Sequence, residues 1–204
     1  LRGVNEMKAR LDEVMEKRRS IRTLERDSRI TRETVEKAIG LARHAPSAYN
    51  AQTSRLVVLM NEEHGKFWDI AEKELRLVTP PDAFARTQKK LDGFRGGNGT
   101  VLFYEDAAET EKLKQDFPLY EDKFDAWAQH NNAILEYAVW LAFAEREIAS
   151  SLQHYNPLVD ADAAKEWDIP ESWVLVAQMP FGRAAEEPGL RTFKPLDEIV
   201  KFYG

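Results

Sequence analysis

AILEYAVWLAFA, residues 133–144, is the longest mainly apolar run in this chain of 204 residues. A helix that spans a bilayer needs about 20 apolar residues, and this run is shorter. It also carries a carboxylate, Glu136. The run therefore reads as a buried central helix, set inside a helical stretch from about Lys123 to Glu147. A helix with so broad an apolar surface must be packed on by other elements, and the flanking sequence supplies them.

Three shorter apolar runs read as buried strands: RLVVLM (Arg55–Met60), TVLFY (Thr100–Tyr104) and WVLVAQM (Trp173–Met179). Helical spacing links Met7, Leu11, Val14 and Met15 in a helix from about Asn5 to Lys17. Val35, Ala38, Ile39 and Ala42 share one face of a second helix, which starts after an N-cap at Thr31 and is closed by Pro46. Phe67, Ala71 and Leu75 mark a third helix. Beyond the break at Pro80–Pro81, Phe84, Gln88 and Leu91 mark a fourth. GGNG, residues 96–99, reads as a flexible turn, and the chain from about residue 181 reads as an extended tail. Strands interspersed with many helices predict one α+β domain over residues 1–204, with four or five strands around the long helix. No internal repeat, low-complexity tract or linker divides it.

Composition narrows the function. The formal net charge is −6, which disfavours general binding to nucleic acid or to acidic membranes. The chain has no cysteine, which excludes disulfides, thiolate metal sites and a thiol nucleophile. That composition suits a reducing cytoplasm, and the charged opening LRGVNEMKARLDEV has no apolar signal core. There is no GxxxxGK[ST] loop and no GxSxG elbow. The GxG in GGNG precedes a strand, so it is no dinucleotide fingerprint. His44, His64, His130 and His154 lack short metal-ligand spacing, and no metal site is expected. Glu105 and Asp106, at the end of a strand, read as a loop cap.

Four polar segments remain. RRSIR (18–22) offers planar guanidinium forks and a hydroxyl suited to phosphate. If it is extended, Arg18, Ser20 and Arg22 point the same way. Alone it reads better as cations at the negative end of a helix dipole. PSAYNAQTSR (46–55) carries amides that match the polar edge of a heterocycle, but its residues also favour turns. SSLQHYNP (150–157) and LRTFKP (190–195) read alone as a helix end and a solvated terminus.

In this order and spacing the segments resemble the nitroreductase family of flavin mononucleotide (FMN) enzymes. The resemblance is to the compact branch related to the fungal fatty-acid-repression-mutant protein and its bacterial counterparts. It is carried by RRSIR at 18, APSAYNAQTSR at 45, GTVLFYED at 99, ILEYAVWLAFA at 134, SLQHYNPL at 151 and PFG…EEPG…FKPL from 180, and so covers nearly the whole chain. It implies an α+β fold with a central mixed sheet flanked by helices. It further implies an intertwined homodimer with FMN at the interface, each tail, from about residue 181, reaching across to the other subunit. Arg18, Arg19 and Ser20 match the phosphate segment, and Arg22 a basic position near the ribityl chain and pyrimidine edge. Pro46, Ser47, Asn50 and Gln52 match a loop laid against the isoalloxazine by the same or the partner subunit. Gln153 and His154 match a segment whose backbone approaches flavin N5. Arg191, with Lys194 beside it, matches a basic tail position at the phosphate, and Arg95 a cation at the flavin O2 edge. Where the resemblance leads one to expect a small residue and glycine, this chain has Glu147-Ile148-Ala149-Ser150.

The implied activity is ping-pong electron transfer, from NADH or NADPH as transient donor to nitroaromatic or quinone acceptors, with the chemistry on FMN and no catalytic side chain. Arg22 would tune the flavin electrostatically. The alternative is a flavin-binding redox sensor with little turnover.

Overall fold

Strand GTVLFYED, Gly99–Asp106, is buried at every position. Successive side chains in a strand point to opposite faces, so both faces of this one must be covered. Val101 and Phe103 pack on one side, in a core with Val139, Phe143, Ala177 and Met179. Leu102 and Tyr104 pack on the other, with Phe67, Trp68, Leu91 and Phe94. This is why the strand reads as continuous apolar sequence with no alternation.

The computed structural model describes residues 11–204. Its strands, among those residues, are β1 (Leu24–Glu25), β2 (Ser54–Met60), β3 (Gly99–Asp106), β4 (Ala149–Ser150) and β5 (Trp173–Ala184). They form one sheet in the order β1-β5-β3-β2, with β4 also on β5. The helices are α1 (helical over 11–17), α2 (Arg32–Ala42), α3 (Glu62–Val78), α4 (Phe84–Arg95), α5 (Ala107–Asp116), α6 (Phe124–Glu145), α7 (Asp160–Glu166) and the short α8 (Leu196–Ile199). The α+β class stands. All four strand pairings are antiparallel, so the mixed character of the expected sheet is confined to one parallel bridge, Ser20 to Ser150.

The long helix α6 has 22 residues and is about 33 Å long. It covers one face of the sheet and packs against α2. Thr31 caps α2 by accepting from the Thr34 N–H. On the other face, α3 is tied to the sheet through Thr100, whose hydroxyl accepts from Trp68 Nε1 (3.0 Å) and meets His64 Nδ1 (2.9 Å). Burial pushes His64 down to about 4, so it is a neutral structural residue here.

Two expectations change. GGNG is not a flexible turn. A Cβ on Gly97 would lie 2.5 Å from the Phe181 carbonyl oxygen, and one on Gly99 2.6 Å from that of Leu59. These glycines admit neighbouring backbone, and Asn98 ties the turn down by donating to Asp27 O (2.9 Å) and accepting from Asp27 N–H (3.0 Å). The tail begins later than residue 181, because β5 continues to Ala184 and buries Phe181 in the core. The first helix was expected from about Asn5; residues 5–10 lie outside the described residues, and 11–17 are helical.

Glu136, the residue that argued against a membrane span, is only 6% exposed, and its Oε1 has no hydrogen-bond partner. Burial pushes its carboxyl up to about 7 from an ordinary value of 4.5. A raised carboxylate pKa makes folding less favourable as pH climbs from the unfolded to the folded value. Glu136→Gln should therefore be more stable than the wild type by up to about 3 kcal/mol above pH ~7, and equal to it below pH ~4.5. Urea denaturation across that window checks both limits.

Candidate cofactor site

RRSIR begins where α1 ends. The Arg18 N–H still donates to Val14 O (2.9 Å), and the chain then extends beside β4, with the Ile21 N–H donating to Ser150 O (3.1 Å). Ile21 is buried and the flanking Ser20 and Arg22 are exposed, as the alternation predicts, but Arg18 is half-buried like Arg19 and lines one cavity with it, so Arg18 does not point the same way as Arg22. The Arg18 guanidinium stacks 4.3 Å over the Trp140 ring of α6. Arg19 Nη2 donates to Gly189 O, and Arg191 Nη2 donates to Glu16 O at 3.4 Å, so the tail folds back over this segment. Burial lowers the Arg18 pKa, and the nearby Arg191 and Arg19 cations lower it further. Lys17, Arg18, Arg19, Trp140 and Glu147 line a cavity of about 230 Å³. The Ser150 hydroxyl oxygen beside Ser20 is buried and unpartnered.

Glu147 ends α6 with φ 58°, while Ile148 N–H donates to Phe143 O (2.9 Å). Glycine is the usual residue at this left-handed helix stop. The glycine that the family pattern leads one to expect thus has a backbone reason here, and glutamate adopts the same conformation at a cost of about 1 kcal/mol.

Arg22 faces a second cavity. Glu186 Oε1 accepts from the backbone N–H groups of Arg22 and Thr23, both at 3.1 Å, and Oε2 accepts from the Thr23 hydroxyl at 2.7 Å. Helix α4 packs tightly against this segment, since a Cβ on Gly93 would lie 2.7 Å from Arg22 O. Arg22 and Lys90 consequently line one cavity of about 460 Å³, together with Arg86 and Lys89. The Lys90 ammonium lies 5.3 Å from the Tyr155 ring, in SLQHYNP, and its pKa is lowered by burial and by Arg22.

Arg95 is not gathered with these residues. It points to the other side of α4, where Nη2 contacts Glu72 (2.8 Å) and Asp69 (3.0 Å) and Nη1 contacts Asp92 (2.9 Å). Hydrogen bonds from Gln88, Arg76 and Arg95 hold Glu72 down at about 2. The cation beside Arg22 is Lys90, which the sequence reading missed. Helical spacing could have found it. Residues 86, 90 and 93 share one face of α4, and 88, 92 and 95 share another.

The PSAYNAQ loop stands apart. Pro46, Ser47 and Gln52 line a different cavity of about 220 Å³ with Asn131 and Leu135 of α6. Tyr49, Asn50 and Gln52 take positive φ values of 56°, 52° and 50°. The loop is held by Ala48 N–H donating to Asn131 Oδ1 (2.9 Å) and Gln52 N–H donating to Ser47 Oγ (3.1 Å). Asn131 and Trp140 are nine residues apart on α6, or about 13 Å along its axis. Within one subunit, therefore, this loop and RRSIR do not meet. Gln153 exchanges both backbone hydrogen bonds with the buried Gln178 (2.7 and 2.9 Å), while His154 and Lys194 are exposed. Asp106 at the strand end pairs with Arg55 (3.2 Å), and Glu105 accepts from the Thr110 hydroxyl (3.1 Å), which is structural bonding. Among the described residues no group of three or more His, Cys, Asp or Glu could hold a metal ion. No helix among them is long and apolar enough to cross a membrane.

The nitroreductase family model matches residues 15–183, most of the chain, from within α1 to within β5. The chain belongs to the nitroreductase family. Two relatives in Saccharomyces cerevisiae are the candidate nitroreductase HBN1, 34% identical over 75% of each chain, and the nitroreductase FRM2, 29% identical over 80% of this chain and 79% of that one. Among solved structures, nitroreductase CinD of Lactococcus lactis in complex with chloramphenicol is 37% identical, with a TM-score of 0.86 over 94% of this chain and 98% of that one. At the level of the fold alone, a Desulfitobacterium hafniense nitroreductase with bound FMN matches with a TM-score of 0.71 at 18% identity, over 96% of this chain and 98% of that one.

Because Arg95 balances three carboxylates, Arg95→Ala in this nitroreductase-family chain should lower stability by about 1–2 kcal/mol in thermal denaturation. Cofactor affinity should stay within about twofold, a change of under ~0.5 kcal/mol.

Proposed function

We propose that this chain is an FMN-dependent oxidoreductase that moves electrons from NADH or NADPH to nitroaromatic or quinone acceptors. The observation that carries the reading is the cluster of Arg18, Arg19 and Arg191. Burial lowers the Arg18 pKa most, the neighbouring Arg191 and Arg19 charges add to it, and among the described residues no ion pair within 4.0 Å links any of the three to a carboxylate. Gathered like charges are unfavourable unless an anion sits among them, and a phosphate monoester is such an anion. Ser20 and the unpartnered Ser150 hydroxyl beside it are suited to the same group. The D. hafniense protein, which shares the fold, holds FMN.

In this reading Arg18, Arg19, Ser20 and Arg191 bind the phosphate, with Lys194 a further cation in the tail. Arg22 and Lys90 present positive charge to the pyrimidine edge, where it favours the reduced, anionic form of the ring. Gln153 and His154 bring backbone toward the reacting edge, and the pairing with Gln178 holds that segment rigid. Pro46, Ser47, Asn50 and Gln52 act on the ring from the partner subunit, because in their own they contact α6 at Asn131, about 13 Å along the helix from the Trp140 that Arg18 stacks on. A homodimer with the cofactor at its interface meets that need. It would also cover apolar tail residues that stand exposed in one subunit, such as Leu190, Phe193 and Phe202. When bound, FMN supplies two-electron chemistry, taking electrons from the nicotinamide and giving them to the acceptor in alternating half-reactions.

The purified protein should be yellow, with FMN absorbance, and should oxidise NADH or NADPH with a quinone. A colourless protein that cannot be reconstituted with FMN would overturn the reading. Arg18→Ala should weaken FMN binding at least about tenfold, the loss of one charge-assisted contact. Arg22→Ala should move the flavin potential negative by about 30 mV, equivalent to ~1.4 kcal/mol for two electrons. An unchanged potential would remove Arg22 from the tuning role.

A further inference from the structure

The cavity beside Arg22 holds more positive charge than a flavin edge needs. Four cations line it, Arg22, Arg86, Lys89 and Lys90, in a chain whose formal net charge is −6. Among the described residues none of the four is ion-paired within 4.0 Å to a carboxylate, although Arg95 of the same helix is ion-paired to three. The one carboxylate lining the cavity, Asp92, is engaged by Arg95 Nη1 and Gln88 Nε2, both at 2.9 Å. Glu186 offsets Arg22, but its oxygens are taken up by the Arg22 and Thr23 backbone and the Thr23 hydroxyl. The cluster is also locked in place, because Gly93 lets α4 close onto the Arg22 carbonyl.

The four cations divide by position. All four are exposed, but Lys90 reaches to 5.3 Å from the Tyr155 ring and lies near Arg22, so these two form the pair nearer SLQHYNP. Arg86 lies one helical turn, about 6 Å, farther along α4, and Lys89 is exposed beside it. Among the described residues the Arg86–Lys89 pair has no ion-pair partner within 4.0 Å, and the flavin reading gives it no role. A donor whose nicotinamide stacks on the ring must carry its adenosine half outward, and a phosphate on that half needs cations at a distance from the ring. A guanidinium fork and an ammonium within one cavity match a phosphate monoester dianion.

We propose that Arg86 and Lys89 are the seat of the 2′-phosphate of NADPH, and that the protein prefers NADPH to NADH for this reason. The proposal rests on the flavin reading above, and the test separates the two. The protein as purified is titrated with 2′,5′-ADP and, in parallel, with 5′-AMP, which lacks the 2′-phosphate. Tighter binding of 2′,5′-ADP by at least about tenfold is expected, equivalent to ~1.4 kcal/mol. The double variant Arg86→Ala/Lys89→Ala should lose that difference, and the charge-keeping variant Arg86→Lys/Lys89→Arg should retain it. In turnover, the ratio of KM for NADPH to KM for NADH should rise at least about tenfold in the double variant. Equal binding of the two nucleotides by the wild type, or an unchanged difference in the double variant, would overturn the proposal while leaving a flavoprotein intact. A protein that takes no FMN yet still discriminates 2′,5′-ADP would sink the flavin reading and leave the phosphate seat standing.

Discussion

The structure depends on covering β3 from both sides. All eight of its residues are buried, so α6 must lie on one face and α3 with α4 on the other. Fully burying side chains such as Phe67, Trp68, Phe94 and Phe103 contributes about 2–3 kcal/mol each. Such close layers leave no room for side chains where backbone crosses backbone, hence the glycines at 93, 97 and 99. Of these, Gly93 serves the candidate site directly, because it presses α4 onto Arg22.

The same layering decides where charge can collect. The sheet's β4–β5 side receives RRSIR alongside β4, and the end of β5 delivers the tail residues Gly189 and Arg191 to the same place. Helix α4 brings a second set of cations to Arg22. A net acidic chain thus holds two local positive sites, while most of its other basic side chains are spent in pairs such as Lys37–Glu33 and Arg76–Glu72. Concentrated charge of this kind suits one small anionic ligand better than an extended polyanion.

Much of this was legible in the residues. Helix α6, the N-cap at Thr31 and the three long strands follow from apolar period and capping chemistry, and each is found within a few residues of its expected bounds, apart from the extension of β5. RRSIR was readable as a helix end or as an extended segment, and it is both, since Arg18 closes α1 and the chain then extends beside β4. The errors share a cause. Glycine in GGNG suggested freedom, whereas packing density fixed it. The resemblance matched Arg95 to a cation at the flavin edge, whereas α4 turns Arg95 toward Glu72 and places Lys90 in the cavity with Arg22. Glu136 served to exclude a membrane span, yet burial makes it one of the most perturbed carboxyls in the core.

The sequence by itself determined the α+β class, the helix at its centre and the chemical character of the four polar segments, because those rest on local period and side-chain type. Only the tertiary structure decided which cations share a cavity, which are already neutralised, and that the PSAYNAQ loop and RRSIR lie apart on α6. Those outcomes depend on helix rotation and on close backbone contact between residues distant in the chain, and no local pattern encodes the distance between two side chains that meet only through packing.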